Sequence, residues 1–376
     1  MENVAHTLLG AALGKTRLGH GSPLAPVALA VAANLPDFEN LVLAFCDRAT
    51  NMVHHRGITH ALAGILVLVP LFTLLTCAVE KLFVRGAPGG SFWCLLPGVA
   101  LATASHPLLD WLNTYGWRPW LPFDHTRYHG DLVFIVDPWL WLLLGGAVCL
   151  AGRRTRAGSI ALAVLAILLF LALLVLGVWL PWPVLLGWAT LAAMIGWARW
   201  RGWGQRRADA VVLTGLLFTA GYVGLLGWTG RTAGRLSTAV VTTALPPGET
   251  IVARTLSPQF GNPLRWQVVT ETHKAIYRHD IALSRAPGAA LRLPKRLDDP
   301  LVRQVVGSRP GAAWRQFARH PVAAVARNGN GRRVYLLDAR YGVFPARGFS
   351  SVVVDVAGDA GKSGDGGRWE QQSSGN

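Results

Sequence analysis

Residues 159–180 carry no charged side chain over a length that crosses the ~30 Å hydrocarbon core of a bilayer. A stretch like that rules out most soluble folds. Further apolar runs occupy 24–46 (interrupted by Asp37 and Glu39), 61–79, 92–112, 132–151, 183–198 and 210–228. Together these predict about seven spans. With 52% hydrophobic and 15% charged residues, the chain is too apolar for an ordinary soluble enzyme. The expected fold is mainly α: a polytopic helical membrane bundle followed by a small soluble α+β domain.

The formal charge of +16 would suggest a nucleic-acid partner in a soluble protein, but here the basic residues punctuate the apolar runs. Lys15 and Arg17, Lys81 and Arg85, Arg153 to Arg156, and Arg199 to Arg207 fall at ends that alternating spans place on one side. Those ends are expected to be cytoplasmic. No nucleic-acid partner is expected, and everything after Trp228 falls on the opposite side. The four cysteines, Cys46, Cys77, Cys94 and Cys149, lack ligand spacing and read as small buried hydrophobes.

Composition shifts after Gly230. Strand-like patterns at 264–270, 273–283, 333–339 and 349–356, with helix-like patterns at 298–306 and 312–318, predict an extracytoplasmic α+β domain. Its His273, His279 and His320 are dispersed and read as surface or structural groups. The expected organisation is a membrane-embedded site domain at 1–150, additional spans at 151–230, the α+β domain at 231–357 and a disordered Gly/Ser-rich tail at 358–376.

Chemistry concentrates in two polar stretches. His54-His55-Arg56-Gly57-Ile58-Thr59-His60 lies between apolar runs, and His106-Pro107-Leu108-Leu109-Asp110-Trp111-Leu112-Asn113 lies near the end of the next. On a helix, His106, Asp110 and Asn113 share one face, with His106 and Asp110 roughly 6 Å apart along the axis. An imidazole and a carboxylate so placed can hold one metal ion. His60 with His55 or with His54 can face the same point; spacing does not choose between them. Asp37 and Glu39 interrupt an apolar run, where a buried carboxylate needs a cation or donors around it. His6 lies on an apolar segment too short to span, and serves as a ligand if that segment folds back toward His60. Arg56 offers a planar fork suited to phosphate. His54, Asn113 and Asp131 are candidates to orient ligating groups from behind.

The Leu-Pro-Asp element at 35–37, His-Arg-Gly-Ile-Thr-His at 55–60, and His-Pro-Leu-Leu-Asp with Asn-Thr-Tyr-Gly at 106–116 resemble the DUF457, YdjM-like family of membrane-bound metal-dependent hydrolases. The resemblance covers about the first 150 residues. It implies a multi-pass bacterial inner-membrane protein with hydrolase function. The order His, Asp, His, His-x3-Asp is also similar to that of the zinc phospholipase C and P1 nuclease superfamily. By that likeness His6, Asp37, His60, His106 and Asp110 are metal ligands, although the further His-x3-Glu or His-x3-Asp of a trinuclear set is missing downstream.

The resulting expectation is a metal-dependent hydrolase acting on a phosphate ester of a lipid or lipid-linked molecule. Nitrogen and oxygen ligands suit Zn²⁺, or Mn²⁺ if carboxylates predominate. Asp37 is expected to bridge two ions, Arg56 to take a non-bridging oxygen, and Asp110 to join Asp37 in the catalytic set. The rival readings are a transporter using the same residues for ions or protons, and a non-catalytic envelope protein in which they only hold helices together.

Overall fold

The computed structural model describes residues 1–84, 91–153, 180–204, 206–286, 288–328, 331–345 and 348–356, with scattered residues between 155 and 174. The expected span at 159–180 lies largely outside the described residues, and the expected tail at 358–376 lies wholly outside them.

The chain begins with α1 (Asn3–Leu13), capped by the Glu2 carboxylate on the Ala5 N–H at 2.9 Å, and then α2 (Ala25–Ala32). These two pack back to back because Gly10 has no Cβ, which would collide with the Leu29 carbonyl. Both short helices also pack against the later helix at Phe92–Trp111. Ala25, Leu29, Ala32 and Ala33 share one apolar core with Ile65, Val69, Leu95 and Val99.

After α2 the run at 24–46 does not continue as a span. Asn34 and Pro36 end the helix, a 3-10 turn (Leu35–Phe38) carries Asp37 inward, and α3 (Glu39–Leu43) and α4 (Arg48–His54) follow. A second 3-10 turn (Ile58–His60) leads into α5 (Leu62–Phe83), which pairs with α6 (Phe92–Trp111). Next come α7 (Pro138–Ala151), α8 (Trp182–Trp200) and the 37-residue α9 (Ala208–Ala244).

Among the described residues, three helices are long and apolar enough to cross a membrane: α5, α6 and α9. Seven spans are not supported among the described residues. The run at 132–151 shrinks to a 14-residue helix because Asp137 caps it and Pro138 starts it. In α8 the tryptophans and Arg199 dilute the apolar character. Cys46 and Cys94 are exposed rather than buried.

The composition change near Gly230 does not coincide with a helix end. Helix α9 runs on to Ala244, held by contacts of Val241 with Ala275 and Tyr277. At Gly230 the Trp266 ring lies against the helix backbone, and its Nε1 donates to Thr229 Oγ1 at 3.3 Å. The following β1 (Ile251–Gln259), β2 (Asn262–Thr272), β3 (Ala275–Ala282) and β4 (Leu291–Pro294) form an antiparallel sheet in that order. Helices α10 (Pro300–Val306) and α11 (Arg309–Phe317) lead to a second antiparallel sheet of β5 (Pro321–Asn328), β6 (Gly331–Asp338) and β7 (Ser351–Val356). His320 is buried between Thr255 Oγ1 and Glu271, both at 2.7 Å, and His279 is also buried.

Candidate metal centre

The start of α5 and the end of α6 lie at the same end of the helix pair, so His60, His106 and Asp110 meet there. The 3-10 turn at Leu35–Phe38 brings Asp37 from one side, and α1 brings His6 from the other. Two overlapping groups result, His6–His106–Asp110 and Asp37–His60–His106, with the ligand atoms of each within 4.8 Å of one another. His6 stacks on His106 with ring centroids 3.7 Å apart, and His60 meets His106 edge-on at 5.0 Å.

Asp110 is the hub. Its Oδ1 faces His6 Nε2 at 3.5 Å, and its Oδ2 faces His60 Nε2 and His106 Nε2, each at 3.5 Å. Asp37 Oδ1 lies 3.4 Å from His60 Nε2 and 3.7 Å from His106 Nε2. Two ligands held about 2.1 Å from a tetrahedral ion stand roughly 3.4 Å apart, so these separations suit donors around a small divalent cation.

The nitrogens are also free to bind one. His106 Nδ1 contacts the Ala33 carbonyl at 2.7 Å; a carbonyl only accepts, so Nδ1 carries the proton and Nε2 keeps its lone pair. His6 Nε2, His60 Nε2 and His106 Nε2 are all buried without a hydrogen-bond partner. Buried polar atoms left in that state are costly. Convergence of three of them on two carboxylates is the arrangement a cation would satisfy.

Asp110 faces histidines through both of its oxygens, whereas Asp37 meets His60 and His106 through Oδ1.

Other expected residues take different places. Arg56 donates to Asp110 Oδ1 at 2.8 Å, and to Asn113 Oδ1, the Asp110 carbonyl and the Gly116 carbonyl, each at 3.2 Å. Its two terminal nitrogens are thus committed to protein acceptors, and it orients Asp110 instead of offering an open fork to phosphate. The amino group of Met1 also contacts Asp110. Asn113 accepts from Arg56 and from the Tyr115 N–H at 2.8 Å, supporting the loop and not an imidazole. His55 lies one layer out, its Nδ1 3.1 Å from Asn40 Oδ1, so it is not brought into either group. His54 is exposed and lines a cleft of about 300 Å³ with Thr50 and Arg309, away from the cluster. Asp131 pairs with Arg319 at 2.7 Å, facing the C-terminal domain.

The residue underweighted by spacing is Glu39. Its carboxylate takes the Arg56 N–H at 2.5 Å, the Gly57 N–H at 3.2 Å and the Thr59 hydroxyl at 2.5 Å, and lies 3.6 Å from His60 Nδ1. Arg56 has φ of 54°, a left-handed conformation uncommon for a residue with a Cβ, and the Glu39 carboxylate accepts its N–H. The sequence signal was the second carboxylate two residues after Asp37 in an apolar run.

The C-terminal domain braces the outer side of this end. Tyr115 packs on Phe317 at 5.1 Å, with the Arg56 guanidinium 4.6 Å from its ring centre. Arg340 donates to the Thr114 carbonyl and pairs with Asp338 at 2.7 Å. Burial pushes the Asp338 carboxyl up, but the Arg340 charge and hydrogen bonds hold it below its ordinary value.

Compared with known proteins, residues 1–184 match the family model described as YdjM inner membrane protein. No curated protein and no solved structure matches the chain. The similarity to zinc phospholipase C therefore rests on the order of the ligand-type residues alone.

Proposed function

For a chain whose residues 1–184 belong to the YdjM inner membrane protein family, we propose a metal-dependent hydrolase that cleaves a phosphate ester of a lipid or lipid-linked substrate. The observation that carries this reading is the set of three buried Nε2 atoms that make no hydrogen bond and face Asp37 and Asp110 at 3.4 to 3.5 Å. A network serving only to hold helices would be expected to satisfy its own buried nitrogens.

His6, His60, His106, Asp37 and Asp110 would hold the ion, and Zn²⁺ suits these nitrogen and oxygen donors. When bound, a divalent ion lowers the pKa of water toward neutrality and polarises a phosphoryl oxygen. The chain's own residues then divide the remaining work. Arg56 holds Asp110 in place, the Ala33 carbonyl fixes the tautomer of His106, and Glu39 fixes the turn that carries His60. Asp37 is the most exposed of the five, at 9% against 1% or less for the others, so substrate would approach from its side. The site lies at the end of the spans that bears the C-terminal domain, opposite Lys81 and Arg199–Arg207. That charge bias supports an extracytoplasmic site in the inner membrane.

The test is phosphate or head-group release from vesicles containing phosphomonoester and phosphodiester lipids, with Zn²⁺ or Mn²⁺ supplied. Release abolished by chelator and by His60→Ala supports the reading. Metal-loaded protein that cleaves neither class overturns it.

A further inference from the structure

The apolar residues that made 24–46 look like a span have an unusual destination. Phe38, Leu41, Val42 and Phe45 follow helical i, i+3, i+4, i+7 spacing around α3, and they point outward: Leu41 is 68% exposed, Val42 69% and Phe45 93%. The same short segment turns Asp37 and Glu39 inward, toward the cluster. Its next helix, α4, is covered by α11 of the C-terminal domain. Nothing among the described residues covers the stripe.

A second exposed apolar element lies at the same end. Trp120 and Phe123 sit on the loop that follows α6, and Phe123 is 91% exposed. The Pro119 carbonyl accepts from the Leu62 N–H at 3.0 Å, which joins that loop to the first turn of α5. Leu62 and Leu66 are exposed there, and Leu66 belongs to the outward face of a helix apolar enough to cross a membrane. The loop is thus continuous with the outward face of a helix long and apolar enough to cross a membrane.

We propose that α3 and the 120–123 turn lie in the interfacial layer of the bilayer, with their apolar side chains among the lipids. The occupant of this surface is lipid. An in-plane helix with its apolar stripe down and its polar groups inward is the arrangement of a membrane-surface element, and tryptophan and phenylalanine at the boundary fit the same layer. The Asp37 side of the cluster then opens at head-group level, so a lipid-borne phosphoester reaches it laterally from the leaflet. This last consequence rests on the function proposed above; the placement of α3 does not.

The test uses the full chain in nanodiscs of phosphatidylethanolamine and phosphatidylglycerol, with Cys46, Cys77, Cys94 and Cys149 replaced by serine or alanine. Nitroxide labels are placed one at a time through Leu41→Cys, Phe45→Cys and Phe123→Cys. Leu66→Cys serves as the lipid-facing reference and Phe349→Cys, in the C-terminal domain, as the aqueous one. Collision with oxygen is compared with collision with a water-soluble nickel chelate. All three labels are expected to match Leu66→Cys, with oxygen favoured several-fold over the chelate. Labels that match Phe349→Cys overturn the proposal, as does spin–spin broadening that grows with protein per disc, which would mean a second copy covers the stripe. Two surface elements are sampled, so misfolding of one variant leaves the other to decide. Neither metal nor turnover enters the readout, so a failure here is distinct from failure of the hydrolase reading.

Discussion

Removing Arg340 should loosen the C-terminal domain and the loop it holds. Arg340 is 6% exposed, and its guanidinium meets Asp338, fully buried, through Nε at 3.0 and 3.1 Å and Nη2 at 2.7 Å, while also donating to the Phe317 and Thr114 carbonyls. Truncating one partner of a buried pair strands the other charge at a cost of about 3–5 kcal/mol. Asp338 would retain the Arg319 N–H at 2.8 Å and the residue-340 N–H at 3.0 Å, which places Arg340→Ala near the lower end, about 3 kcal/mol. At about 1.4 kcal/mol per tenfold, amide protection in β6 and β7 should fall roughly a hundredfold in hydrogen–deuterium exchange of the full chain. Replacing both partners by apolar residues, Arg340→Met with Asp338→Leu, should recover part of that loss, because no uncompensated charge remains although the Arg319 and residue-340 N–H groups lose their acceptor. Protection around Thr114 should stay low in both variants. A single variant that loses less than tenfold, or a double variant no better than the single, would refute the reasoning.

Glu39→Ala should leave the Arg56 turn without its acceptor and weaken metal affinity about 10- to 100-fold, with Glu39→Gln intermediate; competition with a zinc chelator measures this, and unchanged affinity would remove Glu39 from the site. Glu271 is pushed up by burial but held below its ordinary pKa by hydrogen bonds from His320 and Lys295. Its contribution is therefore present above the unfolded carboxyl pKa of about 4.3 and is lost as pH falls through the lower folded value. Exchange protection in β2 should drop across that acidic window, and Glu271→Gln should flatten this part of the profile.

Much of the His/Asp cluster was legible because few polar residue types tolerate burial in an apolar chain without a reason. His106 and Asp110 are one helical turn apart, and His60 follows a glycine turn, so each could be placed from local spacing. His6 could not: whether α1 folds back depends on Gly10 meeting Leu29, a contact between helices that no local pattern reports. The loop residues fared worse for the same reason. Asp131 and His54 turn toward Arg319 and the Arg309 cleft because the C-terminal domain covers that side.

Span counting failed where apolar composition and helix length part company. Residues 24–46 are apolar enough, yet Asn34, Pro36 and the inward carboxylates break the helix, and the remaining apolar side chains point out from a short one. Strands β2, β3, β6 and β7 carried readable patterns. By contrast, β1, β4 and β5 are stabilised by pairing across the sheets, which their own residues do not announce.

The central claim is that the cluster around Asp110 binds a metal ion, and elemental analysis of detergent-purified protein tests it most directly. After loading with Zn²⁺ or Mn²⁺ and removal of excess, the wild-type chain should retain at least one ion per molecule, and the His60→Ala, Asp110→Ala double variant should retain none. Metal absent from both, or retained equally by both, contradicts the account.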